Sequence, residues 1–215
     1  MIIQKDCRPE PKWLIAKAFF GGCVSIIVAM LLGTITNYIF QNIPEEFLTF
    51  LDSYITAGLA EEFSKWIIFY FLIAKSKDFD SNYDGILYAV VISLGFALVE
   101  NFFYVYDGGI TVAIFRGALA VPGHALYGVA MGYFFSLYRF SITKNKRKLL
   151  AKSILIPALL HGTYDFIIFT ANNNLHKGLN FQVFFLLLFS IFIIFLWKQG
   201  LNKIKSHLET SPKAK

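Results

Sequence analysis

The sequence is poor in charged residues and in cysteine. Only 16% of its 215 residues are Asp, Glu, Lys or Arg, and the two cysteines are Cys7 and Cys23. A soluble domain needs a polar surface to cover its core, and about 25% of its residues are usually charged. The scarcity of charge therefore argues against a soluble domain. The two cysteines are expected in different environments, which predicts reduced thiols and no disulfide.

Several familiar sequence signals are also missing. There is no H-E-x-x-H motif, no internal repeat and no low-complexity segment. A basic leader precedes an apolar run at 13–40, but that run is too long for the apolar region of a signal peptide and lacks a convincing cleavage site. It is expected to remain as a first helix.

Long apolar segments dominate what is present. Hydrophobic residues make up 56% of the chain and aromatic residues 18%. A transmembrane helix needs roughly 20 predominantly apolar residues. Six segments meet this requirement, at 14–40, 54–74, 84–106, 116–138, 152–171 and 181–197. They predict an all-α integral membrane protein of about six transmembrane helices, with residues 1–215 in one membrane domain and a basic cytoplasmic tail at 198–215. The acidic start of the 41–53 segment favours a short helix at the interface.

The net charge of +6 indicates contact with a membrane rather than with nucleic acid. The basic residues lie between the apolar segments, where they act as topology signals and bind anionic lipid. All but Lys65, Arg116 and Lys177 fall near the N-terminus, the 75–83 loop, the 139–151 loop and the tail. This asymmetry predicts a multi-pass protein of the cell membrane with both termini cytoplasmic. Arg116 is expected to be an interfacial anchor.

Polar residues interrupt four of the six segments. Each charge near the middle of a bilayer costs about 2.5–3.5 kcal/mol on insertion scales, so such residues must contact one another, a metal or water. At 1.5 Å per residue the carboxylates and imidazoles among them come to roughly 9–15 Å below the outer face, although alternate helices run in opposite directions. One shared polar site, enclosed by helices two to five, is therefore expected. The polar residues are Glu61, Glu62, Lys65, Glu100, Asn101, His124, His161 and Asp165.

The residue types in this layer suit metal chemistry. Two imidazoles with carboxylates favour a divalent transition metal, above all zinc, and leave a coordination position for water. A further glutamate could act as general base on that water and then protonate the leaving amine. Glu61 with Lys65, and His161 with Asp165, are spaced i,i+4 and can share a helix face.

At these residues the chain resembles the PrsW family of intramembrane proteases. The resemblance runs from about residue 55 to 170 and rests on four motifs in order, since any one of them alone would be weak. These are Glu61-Glu62-x-x-Lys65, then Asp84-Gly85-Ile86-Leu87-Tyr88 leading to 95–101, then Pro122-Gly123-His124-Ala125-Leu126, and His161-Gly162-Thr163-Tyr164-Asp165.

The wider superfamily contains CAAX prenyl endopeptidases and Abi-type immunity proteins. Two departures from their motifs favour the PrsW group: Glu100 stands where they have histidine, and Lys65 lies closer to the glutamate pair than their arginine. The resemblance implies cleavage of a single-span membrane protein, such as an anti-sigma factor, near its extracytoplasmic end. It leaves open whether the activity requires metal or uses glutamates alone.

The roles expected within the site follow from these arguments. Glu61 or Glu62 is the general base, and Lys65 balances their charge. Glu100, His124 and His161 are the expected zinc ligands, and Asp165 orients a ligand from outside the coordination sphere.

Two other functions fit the same residues. One is a non-catalytic scaffold or immunity protein of the superfamily, and the other is a proton- or cation-coupled transporter, which also uses buried Glu, His and Asp.

Overall fold

The computed structural model describes residues 10–210, and every long element in this part of the chain is a helix. Cys7, Lys5 and Arg8 lie outside the described residues. The helices are α1 (Lys12–Phe40), α2 (Glu45–Leu51), α3 (Ala60–Ile68), α4 (Asn82–Ala118), α5 (Ala120–Phe140), α6 (Lys146–Asn173) and α7 (Leu179–Thr210). The predicted all-α bundle is confirmed, and Cys23 in α1 carries a free thiol.

Four described stretches are long and apolar enough to cross a membrane: Lys12–Phe40, Asn82–Phe140, Lys146–Asn173 and Leu179–Thr210. The second has 59 residues and joins α4 to α5. A helix of that length would extend roughly 90 Å, about three times the hydrocarbon thickness, so this stretch must cross more than once. The chain is therefore a multi-pass membrane protein.

The predicted second span, 54–74, has a more irregular structure than the other spans. It consists of π-helical turns at Asp52–Leu59, the α-helix α3, and further π-helical turns at Phe69–Ile73. Glu61, Glu62 and Lys65 all lie in α3. π-helical turns are rare and often occur at functional sites, because they change the direction in which the following side chains point.

One predicted loop is largely helical. The predicted segments 84–106 and 116–138 leave residues 107–115, which contain two glycines, as a loop between them, but α4 continues through this region to Ala118. Only Gly109 leaves the helical conformation, with φ 71° and ψ −165°. The reason is that apolar residues resume directly after the glycine pair and allow a short second helical section, which ends with Arg116 in its last turn.

Glycines allow α1, α4 and α5 to touch backbone to backbone. A Cβ atom at Gly22 of α1 would lie 2.1 Å from the carbonyl oxygen of Ile92, and one at Gly95 of α4 would lie 2.1 Å from that of Phe19. A Cβ at Gly132 of α5 would lie 2.1 Å from the carbonyl oxygen of Gly85. Small residues serve this purpose in membrane bundles, where close van der Waals packing replaces the hydrophobic effect.

The apolar core consists of two clusters of buried residues. Its larger cluster includes Leu14, Phe69, Phe79, Tyr88, Ile92, Met131 and Phe135. A smaller cluster joins Leu126, Tyr127 and Tyr164 to Leu196 of α7. Helix α7 is otherwise peripheral, because only Leu196, Gly200 and His207 along its length are buried. The polar layer is therefore held by α3, α4, α5 and α6, and α7 covers one side.

Candidate active site

The polar side chains of α3, α4, α5 and α6 meet in one cluster. Glu62, Lys65, His124 and His161 are buried, and Glu61, Glu100 and Asp165 are mostly buried. The expected polar site enclosed by these helices is confirmed. Its members come from helices that run in alternating directions, so the cluster depends on the depth of each residue along its helix rather than on proximity in sequence.

Lys65 occupies the centre of the cluster and has no solvent-exposed surface. Its Nζ atom lies 2.7 Å from Glu62 Oε1, 3.1 Å from His124 Nδ1 and 3.7 Å from Glu61 Oε2. The i,i+4 spacing had suggested Glu61 as its partner, whereas Glu62, at i,i+3, lies closer. Lys65 also lies 4.0 Å above the centre of the Phe96 ring, a cation–π contact that is stronger away from water.

His161 lies between two groups of carboxylates. Its Nδ1 atom is 3.0 Å from Glu62 Oε1 and 3.9 Å from Glu61 Oε2, and its Nε2 atom is 3.2 Å from Asp165 Oδ2. The Tyr127 ring stacks on the imidazole with the ring centres 4.8 Å apart. The ring position of His161 is thus fixed by both hydrogen bonding and stacking, and Asp165 lies where it can orient the imidazole.

Glu100 connects His124 to a residue that the sequence had not assigned to the site. Glu100 Oε2 accepts a hydrogen bond from His124 Nε2 at 2.7 Å, and Glu100 Oε1 lies 2.9 Å from Nη2 of Arg116. Arg116 also donates from Nε to Asn101 Oδ1 at 2.6 Å and stacks over the Tyr104 ring. Arg116 therefore belongs to the site and was wrongly expected to be only an interfacial anchor. Gly109, where α4 leaves the helical conformation, lies inside the predicted loop at 107–115, but the sequence did not indicate that the chain then returns Arg116 to Glu100.

Three of these residues form a group that could hold a metal ion. Glu61, His124 and His161 can each offer one donor atom, and these atoms lie within 4.8 Å of one another. The predicted set contained Glu100 in place of Glu61. In the structure both oxygens of Glu100 are engaged, by His124 and Arg116, whereas Glu61 Oε2 is buried and has no hydrogen-bond partner in the described part of the chain.

The donor types and the charge balance both fit a divalent cation. One carboxylate with two imidazoles is a donor set that zinc commonly takes in catalytic sites. Among the described residues, four carboxylates face two permanently charged partners, Lys65 and Arg116, so the site has two excess negative charges when all four carboxylates are ionised and its histidines are neutral. Excess charge is costly inside a membrane unless it is balanced. A divalent cation would supply the balance.

A cavity of about 310 Å³, which we call the central cavity, gives access to the group formed by Glu61, His124 and His161. Its polar lining includes Glu61, Glu100, Arg116, His124, His161 and Asp165, and its aromatic lining includes Tyr104, Phe115, Tyr127, Tyr164 and Phe169. The hydroxyl of Tyr127 is buried in this wall and has no hydrogen-bond partner among the described residues. The cavity thus offers a peptide both apolar contacts and a group of acid–base residues, a combination typical of enzyme sites.

A multi-pass helical bundle with buried carboxylates and imidazoles around a cavity has the features that a membrane-embedded enzyme requires. Comparison with known proteins specifies the class further. Residues 10–196 match the family described as PrsW family intramembrane metalloprotease. No solved structure matches the chain.

Curated relatives carry the name Protease PrsW. The protein from Oceanobacillus iheyensis is 36% identical over 207 residues, which cover 95% of this chain and 87% of that protein. The Bacillus subtilis protein is 36% identical over 91% of this chain and 83% of its own length. The Clostridioides difficile protein is 33% identical over 99% of this chain and 87% of its own length. The chain belongs to the PrsW family of intramembrane metalloproteases, which confirms the resemblance seen in the four motifs.

Proposed function

We propose that this protein is an intramembrane endopeptidase that cleaves a membrane-embedded protein with a zinc ion held by Glu61, His124 and His161. The observation that carries this proposal is the convergence of one carboxylate and two imidazole donors within 4.8 Å at the wall of the central cavity. Zinc, when bound, supplies Lewis-acid activation of water and of the scissile carbonyl.

Glu62 is the proposed general base. Its Oε1 atom lies 2.7 Å from Nζ of Lys65, and its Oε2 atom is buried without a hydrogen-bond partner in the described structure. The ammonium of Lys65 favours the ionised carboxylate, which a base requires. Glu62 takes a proton from the attacking water and passes it to the amide nitrogen as the C–N bond breaks, so that a carboxylic acid and an amine are formed.

The remaining polar residues position the ligands. Asp165 accepts a hydrogen bond from Nε2 of His161, and Glu100 accepts one from Nε2 of His124. A carboxylate on the second nitrogen of a ligand histidine fixes the tautomer and the ring orientation and makes the ligand more basic. Glu100 is therefore assigned to His124 rather than to the metal, and Arg116 holds Glu100 in this position.

The site lies near the side of the membrane away from the basic loops. His124 is close to the start of α5 at Ala120, and Glu100 is roughly 27 Å along α4 from Asn82. The asymmetry of Lys and Arg supports a cytoplasmic location for the Asn82 end and for both termini. We therefore propose a protein of the cell membrane with six crossings in one domain. Its proposed substrate is a single-span membrane protein of the anti-sigma-factor kind, cut near its extracytoplasmic end.

Metal analysis of the purified protein tests the proposal without a known substrate. We expect about one zinc ion per chain by mass spectrometry, and loss of zinc in His124→Ala and in His161→Ala while the helical content is retained. His176→Ala is the matched control, because His176 lies in the turn at Leu175–Lys177, outside the cluster. Absence of stoichiometric zinc from chelator-free wild-type protein would contradict the metal site and leave a protease that uses its glutamates alone.

A further inference from the structure

A second cavity lies between α1 and α4 and shares a wall with the active site. Its volume is about 280 Å³, and Glu61, Glu100 and Tyr104 line both this cavity and the central one. We call it the α1–α4 cleft. Apart from Thr56, Tyr104 and the two glutamates, its lining is apolar, and includes Ala29, Met30, Gly33, Phe96 and Phe103.

The cleft exists because α1 and α4 diverge. At the level of Gly22 and Gly95 the two backbones are in direct contact, so that a single added methyl group at either glycine would collide with a carbonyl oxygen. Three turns further along α1, a Cβ atom at Gly33 would meet only the Thr56 methyl group, at 3.8 Å. The helices therefore form a V that opens towards the level of Glu61 and Glu100.

The mouth of the V faces lipid. Met30 on α1 is 56% exposed, and Phe103 on α4 is 48% exposed. On the opposite side, α1 is joined to the π-helical segment by a hydrogen bond of 3.0 Å between the Thr36 and Thr56 hydroxyls. A group that enters the cleft therefore comes from the hydrocarbon region between α1 and α4.

We propose that the α1–α4 cleft is a substrate subsite that binds an apolar side chain next to the scissile peptide bond of an extended membrane-protein segment. This inference rests on the proposed protease function. A peptide bond at Glu61 would lie at the boundary of the two cavities, because Glu61 lines both of them. The central cavity is the polar side, with Arg116 and Asp165, and the cleft is the apolar side.

Gly33 sets the size of the side chain that fits. Its replacement by a larger residue would fill the cleft without a collision with backbone, because the space beside it is open. An apolar pocket distinguishes side chains that differ by one or a few methylene groups by about tenfold or more. Gly33→Leu is therefore expected to disfavour large substrate side chains and to spare small ones.

The experiment uses purified protein in bicelles and a set of single-span model substrates. Each carries Ala, Leu or Phe at successive positions of the outer third of its helix, and mass spectrometry maps the cut. Wild type should prefer Leu or Phe at one position beside the cut. Gly33→Leu should lower kcat/KM for those substrates about tenfold and leave that for the Ala substrate within about twofold. Gly33→Ala should have a smaller effect in the same direction.

Thr34→Leu is the matched control, since it adds a similar side chain to the adjacent exposed position of α1, where Thr34 bonds only to Met30 of its own helix. Its substrate preference should equal that of wild type. Zinc content and melting temperature report whether each variant is folded. An equal loss of kcat/KM for all substrates in Gly33→Leu, or an unchanged kcat/KM for all of them, would overturn the subsite. Either result would also be expected if a lipid acyl chain, rather than a substrate side chain, fills the cleft. If wild type cuts none of the substrates, both the proposed function and the subsite are contradicted.

Discussion

At the scale of single residues, the two adjacent glutamates of α3 have different surroundings. Glu62 is bound by Lys65 and His161, whereas Glu61 faces both cavities and belongs to the metal-capable group. Neighbouring positions on a helix differ by about 100° in direction, so the two side chains contact different groups and have different roles. Substitution of each glutamate by glutamine distinguishes the two roles.

We expect Glu61→Gln to lose zinc and activity together, because an amide is a much poorer zinc ligand than a carboxylate. We expect Glu62→Gln to keep zinc and to lose at least about 100-fold in kcat, since the base is removed. Zinc content and cleavage rate measured on the same preparations test this assignment. Zinc loss in Glu62→Gln with retention in Glu61→Gln would reverse the two roles.

Arg116 acts on the metal site through Glu100. Removal of its guanidinium in Arg116→Gln frees Glu100 from its fixed position, and loss of such an outer hydrogen bond typically weakens metal binding 10–100-fold. A chelator competition assay should show a weaker zinc affinity of this order, and Arg116→Lys should not restore it fully, because lysine cannot bind Glu100 and Asn101 with one planar group. Arg147→Gln, in the first turn of α6, is the control and should bind zinc as wild type does.

Lys65 is also a structural residue. Its replacement by methionine leaves Glu62 buried without its cation, and loss of one partner of a buried ion pair typically costs about 3–5 kcal/mol of stability. Unfolding in detergent should show Lys65→Met strongly destabilised, and the double variant Lys65→Met/Glu62→Gln less so, because the unpaired charge is then absent. Equal stability of Lys65→Met and wild type would mean that water or another group already neutralises Glu62.

At the scale of helices, the distance between α6 and the π-helical segment before α3 depends on glycine. A Cβ atom at Gly58 would lie 2.6 Å from the carbonyl oxygen of Ala158 and 3.0 Å from the nitrogen of Gly162. Real Cβ atoms do not approach backbone this closely, so Gly58→Ala must push α6 away. His161 is one residue from Gly162, and its separation from Glu61 and Glu62 should therefore increase.

Gly58→Ala is accordingly expected to lower both the melting temperature and the zinc affinity. Gly117→Ala is the matched control, because a Cβ atom there meets nothing within 4 Å. Differential scanning fluorimetry and chelator competition on the two variants provide the comparison. Wild-type zinc affinity in a folded Gly58→Ala protein would show that the metal group does not need this close contact.

At the scale of the whole molecule, the proposed topology makes a prediction for each side of the membrane. Single cysteines introduced into a variant with Cys7 and Cys23 replaced can be labelled with a membrane-impermeant maleimide on intact cells. His176→Cys should be labelled, since it lies in the proposed external turn, and Lys144→Cys should react only after permeabilisation. Ile27→Cys, on the apolar surface of α1, should react in neither case. The opposite pattern at His176 and Lys144 would contradict the orientation.

The polar layer was predictable from the sequence because depth in a membrane is a one-dimensional quantity. Each residue adds 1.5 Å along a helix, so the positions of Glu100, His124 and His161 within their apolar segments determine how far each lies from the surface. The cost of charge in hydrocarbon then requires these residues to meet. The predicted loop at 107–115 was too long, because only Gly109 departs from the helical conformation there.

The sequence by itself determined the all-α membrane bundle, the layer in which its polar residues lie and the identity of those residues except Arg116. Only the tertiary structure decided which of them contact one another. The spacing of apolar residues does not determine the rotation of each helix about its axis. The π-helical turns before α3 change the directions in which Glu61 and Glu62 point. The break at Gly109 likewise brings Arg116 back to Glu100. Which polar residues contact one another within the layer depends on these rotations, and helix packing determines the rotations.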